Sequence, residues 1–112
     1  MFRKWIITIA DVTERKYFGV HNMSIIRRHY YVSGSVQGVG FRYRAYHIAQ
    51  HLRLAGYVKN LYDGRVEMEV QGESELVRDF LEQVGAGRFI YIDNIESKNM
   101  DVIEDERSFR TE

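Results

Sequence analysis

The chain has no cysteine and no proline among its 112 residues. Without cysteine there is no disulfide, no thiolate nucleophile and no cysteine-ligated metal site. That absence fits a reducing cytoplasm, which is the expected location. Long apolar runs are also missing. Residues 6–10 form an apolar stretch interrupted by Thr8 and closed by Asp11, too short for a signal-peptide core or a membrane span. Neither sign of charge dominates, because 16 Lys and Arg balance 16 Asp and Glu. The global balance therefore points neither to nucleic acid nor to an anionic membrane surface. What remains is the composition of an ordinary globular protein, of a length for one domain that buries about two-thirds of its unfolded surface. A monomer with no nucleic-acid or membrane partner is expected.

Glycine is present where it matters. Gly34-Ser35-Val36-Gln37-Gly38-Val39-Gly40-Phe41-Arg42 joins an extended, aromatic-rich run to an amphipathic helical pattern. It reads as a strand-to-helix turn whose glycines allow positive φ and close approach of a ligand to the amides. The helix that follows presents N–H groups without intrahelical partners and the positive end of its dipole, the makings of an anion site. Arg42 in the first helical turn opposes that dipole, a local conflict that a bound phosphate turns into cooperation.

The rest of the chain supplies a frame for this loop. Tyr30, Val32, Gly34 and Val36 alternate as in a half-buried strand. Phe41, Ala45, Ile48, Ala49 and Leu52 form a helical stripe, with Gly56 as its stop signal. A second strand spans 57–62, Asp63-Gly64 marks a hairpin, and a third strand spans 65–71 with Val66, Met68 and Val70 inward. Glu67 and Glu69, pointing outward, are expected to form a solvated face. Leu76, Val77, Phe80, Leu81 and Val84 line a second helix; a fourth strand lies within 90–100, and the Phe109 region suits a short fifth. The order βαββαβ predicts an α+β, ferredoxin-like fold: a four-stranded antiparallel sheet, with a possible short fifth strand, and two helices on one face. Residues 26–112 form this domain. Residues 1–25 read as an N-terminal extension, either a disordered or non-native leader with Met23 as the expected natural start, or an extra edge strand for which Trp5, Ile6, Ile7, Ile9 and Val12 have the composition.

Three motifs in order, the Gly34 to Arg42 loop, then Gly56-Tyr57-Val58-Lys59-Asn60, then Asp63-Gly64-Arg65-Val66-Glu67, closely resemble the acylphosphatase family over most of the chain. Tyr57 departs from the family's usual Trp, and Tyr62 from its frequent Pro. The resemblance implies hydrolysis of a small-molecule acyl phosphate to a carboxylate and inorganic phosphate, with no metal and no cofactor. It implies that Arg42 and the amides of Val36, Gln37, Gly38, Val39, Gly40, Phe41 and Arg42 bind the phosphoryl group. It implies that Asn60 orients the attacking water. The chemistry is consistent with these residue types. A carboxylate leaving group has a conjugate-acid pKa of about 4 and needs no general acid; arginine offers a planar fork to phosphate oxygens.

Two other readings remain at this point. A phosphate-binding accessory domain without catalysis has the same loop. An RNA-recognition module shares the element order and would use sheet-face aromatics such as Tyr31, Tyr57 and Tyr91, but the third strand carries acidic residues where a phosphate backbone would pass. His47 and His51 have the i, i+4 spacing of a zinc helix, yet Ile48 stands where the glutamate is needed, so they are expected to face solvent.

Overall fold

The alternating segment around Tyr30 becomes the central strand β1, Ile25–Ser35, in a computed structural model that describes residues 24–112. The expectations for residues 1–23, including a start at Met23 and a short strand, lie outside the described residues. After β1 come α1 (Phe41–His51), β2 (Ala55–Asn60), β3 (Val66–Glu73), α2 (Ser74–Gly85), β4 (Tyr91–Met100) and β5 (Phe109–Thr111). The sheet order is β4-β1-β3-β2-β5. The first four strands pair antiparallel, and β5 adds to β2 in parallel, so the short final strand makes the sheet mixed.

One face of the sheet is apolar because strand side chains alternate and both helices cover the same side. Tyr30, Val32, Val58, Val66, Met68 and Val70 meet Phe41, Ala45 and Ala49 of α1 and Val77, Phe80 and Val84 of α2. Ile48, Leu52, Leu76 and Leu81 pack partly against this core. The stripes expected on both helices are thus the buried ones.

Gly56 is not the helix stop. The chain ends α1 with Arg53 at φ 59°, while Arg53 N–H donates to Gln50 O at 3.2 Å and Leu54 N–H to Ala49 O at 2.9 Å. This is a Schellman closure with arginine in the left-handed position, a conformation that costs about 1–2 kcal/mol for a non-glycine residue. Gly56 is needed three residues later for space: its φ is 135°, and a Cβ there would lie 1.9 Å from Glu69 O of β3.

The other face is charged, and it is not the solvated face expected of Glu67 and Glu69. Arg27 is only 3% exposed. Its Nε donates to Glu69 Oε1 at 2.6 Å, and its Nη1 donates to Glu106 and, at 3.2 Å, to Gln71 Oε1. Gln71 in turn holds the segment after β4: Ile103 N–H donates to its Oε1, and its Nε2 donates to Ile103 O, both at 2.9 Å. Further along, Tyr57 donates its hydroxyl to Glu67 Oε2 at 2.8 Å, and His29 Nε2 lies 2.7 Å from the same oxygen. Burial pushes the Tyr57 hydroxyl well above its ordinary pKa, with Glu67 adding to the shift. Burial would raise the Glu67 and Glu106 carboxyls, but hydrogen bonds from His29 and Tyr57, and from Arg27 and Arg110, outweigh it and hold both below the ordinary value. Cross-strand pairing of basic β1 with acidic β3 makes this possible, since His29 stands opposite Glu69 and Tyr31 opposite Glu67.

Candidate active site

The glycine loop leaves β1 and opens α1 directly. Val36 and Phe41 are buried, so the two ends of the loop are pinned by core packing. Between them Gly38 and Gly40 take φ of 75° and 84°, left-handed values that glycine adopts without steric penalty. Gly40 is the N-cap of α1 and supplies no side chain, and no acidic residue sits in the first turn. The first helical N–H groups and the dipole therefore remain uncompensated by the protein, as an anion site requires.

Arg42 lies in that first turn with an exposed side chain. Its Nη1 donates to the backbone carbonyl of Glu112 at 3.0 Å. Among the described residues it forms no ion pair with a carboxylate. Glu112 N–H in turn donates to Val58 O on β2 at 2.9 Å, which links Arg42 to the strand that carries Asn60. Asn60 ends β2 two residues after Val58, so it shares the helix-covered face. Its Oδ1 is buried and accepts no hydrogen bond from any described residue.

Gln37 behaves differently from its loop neighbours. Its side chain reaches the β2–β3 hairpin, where Nε2 donates to Leu61 O at 2.7 Å and to Arg65 O at 2.8 Å. Sequence reasoning placed Gln37 in the loop for its amide and missed this bridge. It also missed the carbonyl of Glu112, because neither contact follows from a local pattern.

A cavity beside Arg42 is lined by Tyr43, Tyr46, His47 and Thr111. His47 and His51 are exposed, and among the described residues no three His, Asp or Glu side chains come together as metal ligands do. His47 instead packs against Tyr43, with ring centroids 4.3 Å apart and the ring planes tilted by 55°.

A ferredoxin-like α+β sandwich with an uncompensated helix N-terminus and, among the described residues, an arginine without a carboxylate partner has the features of a protein class able to seat an anion such as a phosphoryl group. The acylphosphatase family model matches residues 28–111. The acylphosphatase of Geobacillus thermodenitrificans is 46% identical over 85 residues, spanning 75% of this chain and 90% of that protein. The crystal structure of acylphosphatase from Bacillus subtilis superposes with a TM-score of 0.72 at 36% identity, over 77% of this chain and 97% of that one. T. kodakarensis HypF is also similar, with a TM-score of 0.68 and 37% identity over 78% of this chain but 12% of its own. The chain belongs to the acylphosphatase family.

Proposed function

We propose that this acylphosphatase cleaves the carboxyl–phosphate bond of acyl phosphates through Arg42, Asn60 and the loop amides, with no metal or cofactor. The amides of residues 36–42 and the Arg42 fork hold the phosphoryl oxygens, and the dipole of α1 adds to their pull. Asn60 Oδ1 accepts a hydrogen bond from the attacking water and fixes its line of approach; an amide cannot serve as a base. Water oxygen bonds to phosphorus as the bond to the acyl oxygen breaks. The electron pair leaves with the carboxylate, which departs unprotonated at neutral pH, and the water proton passes to a phosphate oxygen. Arg42 moves from the Glu112 carbonyl to the substrate at little cost, since it gives up one neutral acceptor. The observation that carries this reading is an arginine at a helix N-terminus facing, among the described residues, no carboxylate.

Residues 26–112 are the working domain, acting as a monomer in the cytoplasm. Among the described residues no helix is long and apolar enough to cross a membrane. The RNA reading loses two of its three stacking rings. The Arg65 guanidinium lies over Tyr31, 4.5 Å from the ring centroid, and Tyr57 is bonded to Glu67. The accessory-domain reading has one support, the similarity to a small part of the much longer HypF.

Hydrolysis of benzoyl phosphate by wild type and Arg42→Ala, with EDTA present, separates these readings. Wild type turns over, the variant loses about 10³-fold in kcat, and inhibition by inorganic phosphate weakens with it. A folded wild type that binds phosphate but does not turn over assigns the accessory role instead.

A further inference from the structure

We infer that Gln37 is a positioning residue, setting the distance between the phosphate loop and the strand end that carries Asn60. The inference rests on the hydrolytic reading above. The two acceptors of the Gln37 side chain, Leu61 O and Arg65 O, flank the cross-strand pair of Asn60 with Val66. Both oxygens already accept backbone bonds: Gly64 N–H donates to Leu61 O at 3.2 Å, and Leu61 N–H donates to Arg65 O at 2.8 Å. Arg65 N–H is also held by Asp63 Oδ1 at 3.1 Å. The hairpin therefore closes without Gln37, and no carbonyl depends on it for a partner. What the side chain adds is a tie between segments 24 and 28 residues apart.

The direction of the amide is fixed by chemistry. Turned over, it would set Oε1 against two carbonyl oxygens, so Nε2 and its two hydrogens must face the hairpin. The backbone of Gln37 belongs to the loop that grips the phosphoryl group, while the far end of its side chain brackets Asn60. One residue thus spans the two parts that must meet for in-line attack. A misplacement of about 1 Å in such a pair can lower the rate on the order of 10²-fold.

The test is a double-mutant cycle on the full chain, with Gln37→Met and Asn60→Ala, reading kcat on benzoyl phosphate, Ki for inorganic phosphate and Tm. Gln37→Met keeps the length and removes both donors. It lowers kcat about tenfold or more with Ki changed less than about twofold, because the loop still binds phosphate and only the water is misplaced. In the Asn60→Ala background the same change lowers kcat by less than about twofold, since Gln37 acts through Asn60. Gln37→Asn, which draws the amide back by one methylene, gives the same pattern and replaces Gln37→Met if that variant does not fold. Additive losses in kcat, an unchanged kcat, or equal losses in kcat and phosphate affinity each overturn the inference while leaving the hydrolytic reading in place. A wild type without turnover removes both.

Discussion

Two arginines mark two regions built on opposite plans. Arg27 is buried on the charged face of the sheet, and Glu69, Glu106 and Gln71 all accept from it. Arg42 is exposed at the start of α1 and donates to one backbone carbonyl. A buried guanidinium with its carboxylates in place has nothing left for an incoming anion, and it stays buried only because it is paired. An arginine beside an uncompensated helix N-terminus is in the opposite state, with its charge still unspent on the protein. The chain is neutral overall, so the difference is one of arrangement. Paired charge holds the fold, and charge kept apart from carboxylates stays open to an incoming anion, the role proposed for Arg42.

The largest effect that sharpens this contrast is at Arg42. Arg42→Ala loses about 10³-fold in kcat while Tm moves by only a few degrees, because a single exposed bond is lost. The reciprocal change is Arg27→Met. It removes the centre of the charged network and leaves Glu69 and Glu106 facing each other, lowering unfolding stability by about 2–3 kcal/mol in urea titration. The kcat of the folded fraction stays within about twofold. If Arg27→Met instead lost activity without losing stability, the division of labour between the two arginines would be wrong.

Acid provides a gentler break. Glu67 and Glu106 have folded-state pKa values held below the ordinary 4.5. A depressed carboxyl contributes stability that is present above its unfolded value and is lost as pH falls through its folded value. The contribution of these two carboxyls to thermal stability is therefore level from neutrality down to the ordinary carboxyl range and falls below it. Glu106→Gln lowers the plateau and flattens the acid limb, an effect smaller than that of Arg27→Met because Arg27 retains Glu69. An unchanged acid limb would remove Glu106 from the network's contribution.

The region around Arg42 was legible in the sequence and the region around Arg27 was not. The loop and Arg42 lie in a short motif whose meaning is local, glycines and a helix start, whereas Asn60 was singled out by the resemblance of its motif to the acylphosphatase family. The apolar stripes of α1 and α2 and the alternation of Val66, Met68 and Val70 repeat with the period of their elements, so they too could be read without neighbours. Arg27 could not. Its partners are Glu69 and Glu106, 42 and 79 residues away, and only the β1–β3 register and the segment after β4 bring them to it. Glu67 and Glu69 read as solvated because alternation says which side a residue faces but not what else faces that side. Gln37 is an intermediate case. Its backbone role was local, whereas its side-chain bridge depends on where the hairpin lies. Gly56 was assigned to the wrong cause for a similar reason, since its requirement comes from Glu69 O on the adjacent strand.

The smallest effect tests a region that belongs to neither plan. His47 and His51 lie on the outer face of α1, one turn apart, with half-buried Ile48 following the first. Two histidines alone do not complete a zinc site, which takes at least three protein ligands. The tilted contact of His47 with Tyr43, like other surface contacts, is worth within about 0.5 kcal/mol. Replacing both histidines by alanine therefore changes kcat by less than about twofold, with or without EDTA. The residual effect falls on KM, because His47 lines the cavity beside Arg42. A loss of tenfold or more, restored by added zinc, would place a metal beside Arg42 and end the account in which an unpaired arginine and backbone amides suffice.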